Sequence, residues 1–129
     1  MTEIAKTNKY SVSVDSNKNR MYLTVVGFWA SPSDVPNYID DVKKASAAVT
    51  KGFTILTDLT QMKTPAPELG PIHEQAQKSL INAGLKKTAE ILSDDAIAKM
   101  VMDRYSKASG MEKMVFNNKH DAEAWLDKV

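Results

Sequence analysis

The feature that constrains this chain most is a regular exchange of two hydrophobic periods along its length. Strand-like runs, YSVSVD at 10–15, RMYLTVVGF at 20–28, FTILTDL at 53–59 and shorter ones at 86–92 and 112–116, alternate with stretches whose apolar residues recur every three or four positions. Parallel neighbours in a sheet require crossover connections, and those connections are right-handed, so strands alternating with helices imply a mostly parallel sheet. The order β-β-α-β-α-β-α-β-α therefore predicts an α/β fold. It should be a five-stranded, mostly parallel sheet with one antiparallel edge strand and helices on both faces.

The polar cluster SNKN at 16–19 suits the turn of an antiparallel hairpin between the first two strands. The second strand is almost continuously apolar at Leu23, Val25, Val26 and Phe28, the pattern of a strand covered on both faces. SPSD at 31–34 signals a helix start, with Pro36 in the first turn and Val35, Tyr38, Ile39, Val42 and Val49 facing one way. FTILTDL, bounded by Gly52 and a proline-containing loop, reads as the central strand. A second helix over 66–83 carries Leu69, Ile72, Ala76 and Leu80 on one stripe and stops near Gly84, a natural left-handed cap. Ser93, Asp94 and Asp95 cap a third helix whose stripe is Ile97, Met100, Val101 and Tyr105; HDAEAWLDKV forms the last. Residues 1–8 are polar and patternless, so a loose terminus is expected there, with a single domain over 9–129.

At 129 residues the chain can bury a real core, and its 43% hydrophobic and 26% charged residues are those of a globular protein. Lys plus Arg number 17 against 16 Asp plus Glu, so no strong field draws in nucleic acid or an anionic membrane. Without cysteine there is no disulfide, thiolate nucleophile or Cys-ligated metal, which suits a reducing compartment. No run of about 18 apolar residues exists to insert stably into a membrane, and the expected location is the cytoplasm.

The strand hairpin, the following helix and strand units, the central strand ending in Asp58-Leu59-Thr60, and a last helix carrying Ala122, Ala124, Trp125 and Leu126 resemble the SpoIIAA-like branch of the STAS-like domains. The resemblance covers the chain from about Lys9. It implies a non-enzymatic binding or switch module that engages partner proteins or small ligands; no cofactor is expected. Anti-sigma-factor antagonists of this superfamily are phosphorylated on a serine at the start of the helix after the central strand. Here Pro67 and Glu68 stand near that place, and Thr64 is the nearest hydroxyl and the phosphorylation candidate.

In an open α/β sheet, ligands sit beyond the carboxyl ends of the strands, where residues 28–34, 58–68, 93–95 and 117–121 share one rim. That rim holds Asp34, Asp58, Glu68, Asp94, Asp95 and Asp121 against Lys63 and Lys119, which disfavours phosphate. The expected ligand-binding residues are Trp29, Asp58, Thr60 and Met62: Asp58 and Thr60 to orient a polar group, Trp29 and Met62 to supply apolar contact with a small ligand or partner protein. Asp58 has a purely structural alternative, accepting N–H groups of its own turn. Catalysis by Asp58 or Glu68 lacks a partner residue. HEQAQ at 73–77 lacks the second histidine of a helical zinc motif, so no metal is expected; His73 reads as a partly exposed helix residue. The Met100, Met102, Met111 and Met114 side chains suit either a partner surface or core filling, with Met100 assigned to the core. A homodimer is compatible with these features.

Overall fold

The computed structural model describes all residues, 1–129. Its strands are β1 (Thr2–Lys6), β2 (Tyr10–Asp15), β3 (Arg20–Gly27), β4 (Thr54–Met62), β5 (Lys87–Ile91) and β6 (Met114–Phe116). Its helices are α1 (Tyr38–Ala47), α2 (Gly70–Asn82), α3 (Ala96–Ser109) and α4 (Lys119–Leu126), with short 3-10 turns at Pro32–Asp34 and Pro67–Leu69. The strands lie side by side in chain order as one six-stranded sheet. From β3 to β6 all pairs are parallel; β2 is antiparallel to both β1 and β3. The α/β class stands as expected.

Two expectations are corrected at the amino end. Residues 2–6, expected as a loose terminus, form β1, so the sheet has six strands rather than five. The strand of opposite direction, β2, is consequently an inner strand and not the edge. Nothing in TEIAK has a strand's alternation; β1 is held by backbone pairing and by Ile4 and Ala5 against the core.

The crossovers β3-α1-β4, β4-α2-β5 and β5-α3-β6 advance in one direction, so their helices fall on one face of the sheet. That face buries the main core of 21 residues, including Val12, Leu23, Ile55 and Leu59 from the strands and Val42, Leu80 and Met102 from the helices. α4 has no following strand and packs on the other face, over a cluster of only Leu56, Ala89, Ile91, Ala122 and Leu126. This thin second layer leaves part of β2 and β3 open, which is why Tyr22 and Val26 are half-buried and Phe28 is 49% exposed despite the apolar run.

SPSD makes a 3-10 turn, and α1 begins only at Tyr38, because Asp34 turns back to accept from the Ala30 N–H instead of capping the helix. Asp95 does cap α3, accepting from the Ile97 and Ala98 N–H groups. The buried stripe of α3 is Ala98, Met102, Tyr105 and Ser106; Ile97 and Met100, expected inside, are 61% and 63% exposed. α4 is anchored by a charge cluster as well as by apolar contact: Arg20, buried at the start of β3, donates to Glu123 and to Thr54 Oγ1 and lies 3.0 Å from Asp127.

Candidate functional site

The four expected ligand-binding residues divide between the two faces. A bulge in β4 against β3 inserts one residue between the Thr24–Asp58 and Val26–Gln61 pairs, just where the strand leaves the sheet. Asp58 faces the α4 side, in a groove with Tyr22 and Leu56. Its Oδ1 accepts from the Thr60 N–H at 2.9 Å and the Thr60 hydroxyl at 2.6 Å. Trp29 and Met62 lie on the opposite side in the main core, 1% and 2% exposed, and offer no rim surface. The Trp29 indole N–H donates to the Lys9 carbonyl, fixing the ring beneath α1. Thr64 is committed to the scaffold too: its N–H and hydroxyl both donate to Asp95 Oδ2, at 3.0 and 2.9 Å, while Asp95 Oδ1 caps α3. These bonds hold the Asp95 carboxyl below the usual carboxylate range, the Ala98 N–H contributing most and the Thr64 hydroxyl next.

The main core contains a small cavity between the sheet and helices α2 and α3. About 20 Å³ is open, room for about one water. Its wall is largely apolar, with Leu80, Met102 and Met111, but His73, Gln77 and Glu90 converge on it. Each arrives there by simple geometry. His73 and Gln77 lie one turn apart on the face of α2 that also buries Leu69, Ala76 and Leu80. Glu90 alternates with the apolar residues of β5 and so points toward α3, while Ala89 and Ile91 point toward α4.

His73, expected to be partly exposed, is 2% exposed and stacked between Trp29 and Tyr105, at centroid separations of 4.9 and 5.3 Å. Its Nε2 is buried without a hydrogen-bond partner. Burial disfavours the charged imidazolium and lowers the His73 pKa to about 4. Glu90 is 3% exposed, and its Oε1 accepts from the Lys113 ammonium at 2.8 Å, which lies equally near Asp103. Burial pushes the Glu90 carboxyl above its ordinary value, opposed by Lys113. Burial alone would lower the Lys113 pKa; Glu90 and Asp103 outweigh it and keep the ammonium charged.

Neither protein-family models nor curated proteins match the sequence. Among solved structures, the chain is similar to an uncharacterized protein from the DUF3478 family, with a SpoIIAA-like fold, from Shewanella loihica PV-4. The two share 17% sequence identity, and the match covers 95% of this chain and 97% of that one at a TM-score of 0.61. This chain has a SpoIIAA-like fold. At this identity the likeness establishes the architecture alone. The chemistry of this SpoIIAA-like chain rests on its own side chains.

Of these, sequence reasoning missed Gln77, Glu90 and Lys113 and misplaced His73. The signal for α2 was present: Leu69, His73, Ala76, Gln77 and Leu80 share one helical face, but a stripe defined by apolarity drops its polar members. Elsewhere, His120 is exposed, no three His, Asp or Glu side chains gather as a metal-ligand set, and no helix is long and apolar enough to cross a membrane.

Proposed function

We propose that this chain is a non-catalytic module that binds a small, partly apolar molecule in the cavity between the sheet and helices α2 and α3. The observation that carries the reading is the orphan Nε2 of His73, buried on the same wall as the Glu90 carboxylate and surrounded by apolar side chains. A buried polar atom without a partner costs roughly 1–3 kcal/mol, and a ligand or water that bonds to it recovers that cost. Largely apolar pockets with a few convergent polar groups and perturbed pKa values are the usual form of small-molecule sites. The ligand enters by displacing side chains, and Met102 and Met111, unbranched and polarizable, are the wall residues that repack at least cost.

Modification at Thr64 has less support, because its hydroxyl already donates to Asp95 and a phosphate there would oppose that carboxylate. Native mass spectrometry of the protein purified without denaturation tests the binding reading. A small-molecule adduct, lost on denaturation and weakened in His73→Phe, supports it. An adduct-free spectrum whose dominant species is a complex with another protein favours a partner-binding module instead.

A further inference from the structure

Asp58 and Lys119 line one groove on the thinly covered side of the sheet, and their charged atoms stand farther apart than the 4.0 Å of an ion pair. The groove holds about 140 Å³, with Tyr22, Thr24 and Leu56 along it and Met1 and Ser13 at its side. Both charges keep binding capacity. Asp58 uses Oδ1 for Thr60 and leaves Oδ2 without a protein donor. The Lys119 ammonium makes no ion pair and hangs 5.7 Å from the centre of the Tyr22 ring. That ring stands on β3 between Ser13 of β2 and Leu56 of β4. Of the other charged groups on the first turn of α4, Asp121 is occupied by Asn118.

From this arrangement we infer that the groove binds a small zwitterion of the free α-amino acid class. The ligand ammonium bonds to Asp58 Oδ2, its carboxylate bonds to the Lys119 ammonium, and its side chain rests on the Tyr22 ring. The pairing selects by exclusion as well as attraction. A simple anion meets Asp58, a simple cation meets Lys119, and a molecule carrying both charges on neighbouring carbons satisfies each. Because the groove is open to water, the contacts are screened and the affinity is modest. The site lies across the sheet from the His73 cavity and is independent of it.

A backbone-amide NMR titration with glycine, leucine and phenylalanine, beside their N-acetyl and carboxamide derivatives, tests this. The expected result is saturable shifts at Tyr22, Thr24 and Lys119, with each blocked derivative about tenfold weaker or worse, the loss of one charge-assisted bond. Asp58→Asn keeps an acceptor for Thr60 and Lys119→Gln alters an exposed side chain, so both variants fold. Each should weaken the free amino acids by a similar factor. Absence of saturable shifts in the groove, equal binding by the blocked derivatives, or unchanged affinity in both variants overturns the inference.

Discussion

The imidazole of His73 lies nearly parallel to the indole of Trp29, at 10° between planes and 4.9 Å between ring centres, with the Tyr105 ring stacked on its other side. A histidine in that position is at once a structural member of the core and a polar side chain lining the cavity. The two roles have separate consequences.

The first is a pH dependence. The folded protein holds His73 neutral, with its pKa lowered from 6.5 to about 4, so the unfolded chain binds the proton more readily. The stability contributed by this group is complete above pH 6.5, falls as the pH drops, and is gone below about pH 4. The difference in pKa corresponds to about 3 kcal/mol. Urea unfolding measured at intervals across this range should show that loss in the wild type and a much shallower slope in His73→Phe. Parallel curves for the two proteins contradict it.

The Arg20 cluster yields a prediction about α4. Arg20→Met removes the buried cation that holds Glu123 and Asp127 and should cost about 2 kcal/mol, less than for a fully buried pair because both acids are partly in water. Hydrogen exchange should accelerate along Lys119–Leu126 while the β2–β3 pairing stays protected. Uniform acceleration through the sheet would mean that α4 has no separate stability.

Thr64 and Asp95 connect the end of β4 to the cap of α3. Thr64→Val removes the hydroxyl donor but keeps the N–H bond, for a loss of about 1 kcal/mol and about 4 °C in Tm. Thr64→Glu, which sets a carboxylate against Asp95, should lower Tm further. A glutamate variant as stable as the wild type would restore the case for phosphorylation at this position.

Gly84 is required for two reasons. Its φ is +102°, and an added Cβ would stand 2.6 Å from Lys51 Cγ and 3.0 Å from Lys51 Cα. Gly84→Ala should destabilise by about 2 kcal/mol or more in chemical denaturation, with the Gly52 N–H bond to the Gly84 carbonyl lost first. A neutral effect would mean that Lys51 moves aside freely.

These features were not equally legible. FTILTDL and the Asp95 cap act locally, through β-branched apolar residues and a side-chain oxygen at the right offset, and both were read correctly from the sequence. β1 was hidden because an edge strand can be held by backbone bonds that leave no hydrophobic trace. The stripe of α3 was shifted because burial there follows helix phase: Ala98 and Ser106 are inside, and the larger Ile97 and Met100 are outside. Trp29 lies past the end of its strand, where no periodicity applies, and its burial comes from tertiary packing against Tyr10, Tyr38 and His73. The Asp58–Thr60 turn was foreseeable from the residue types; its separation from Met62 depends on the extra residue of the β4 bulge, which alternation alone does not foretell. Glu90 broke an apolar strand, and a carboxylate on the inward side of β5 was itself the signal of a polar cavity wall.

The central claim is that a small molecule occupies the cavity beside His73, and it is tested most directly by the ring signals of His73 in an NMR screen of small amphipathic fragments. The Trp29 indole N–H, fixed to the Lys9 carbonyl on a ring stacked against His73, provides a second reporter. The account predicts that fragments joining an apolar ring to a hydrogen-bonding head shift both His73 and Trp29, and that matched hydrocarbons without the head bind more weakly. Fragments that bind the protein while leaving the His73 ring unmoved throughout the library would contradict it.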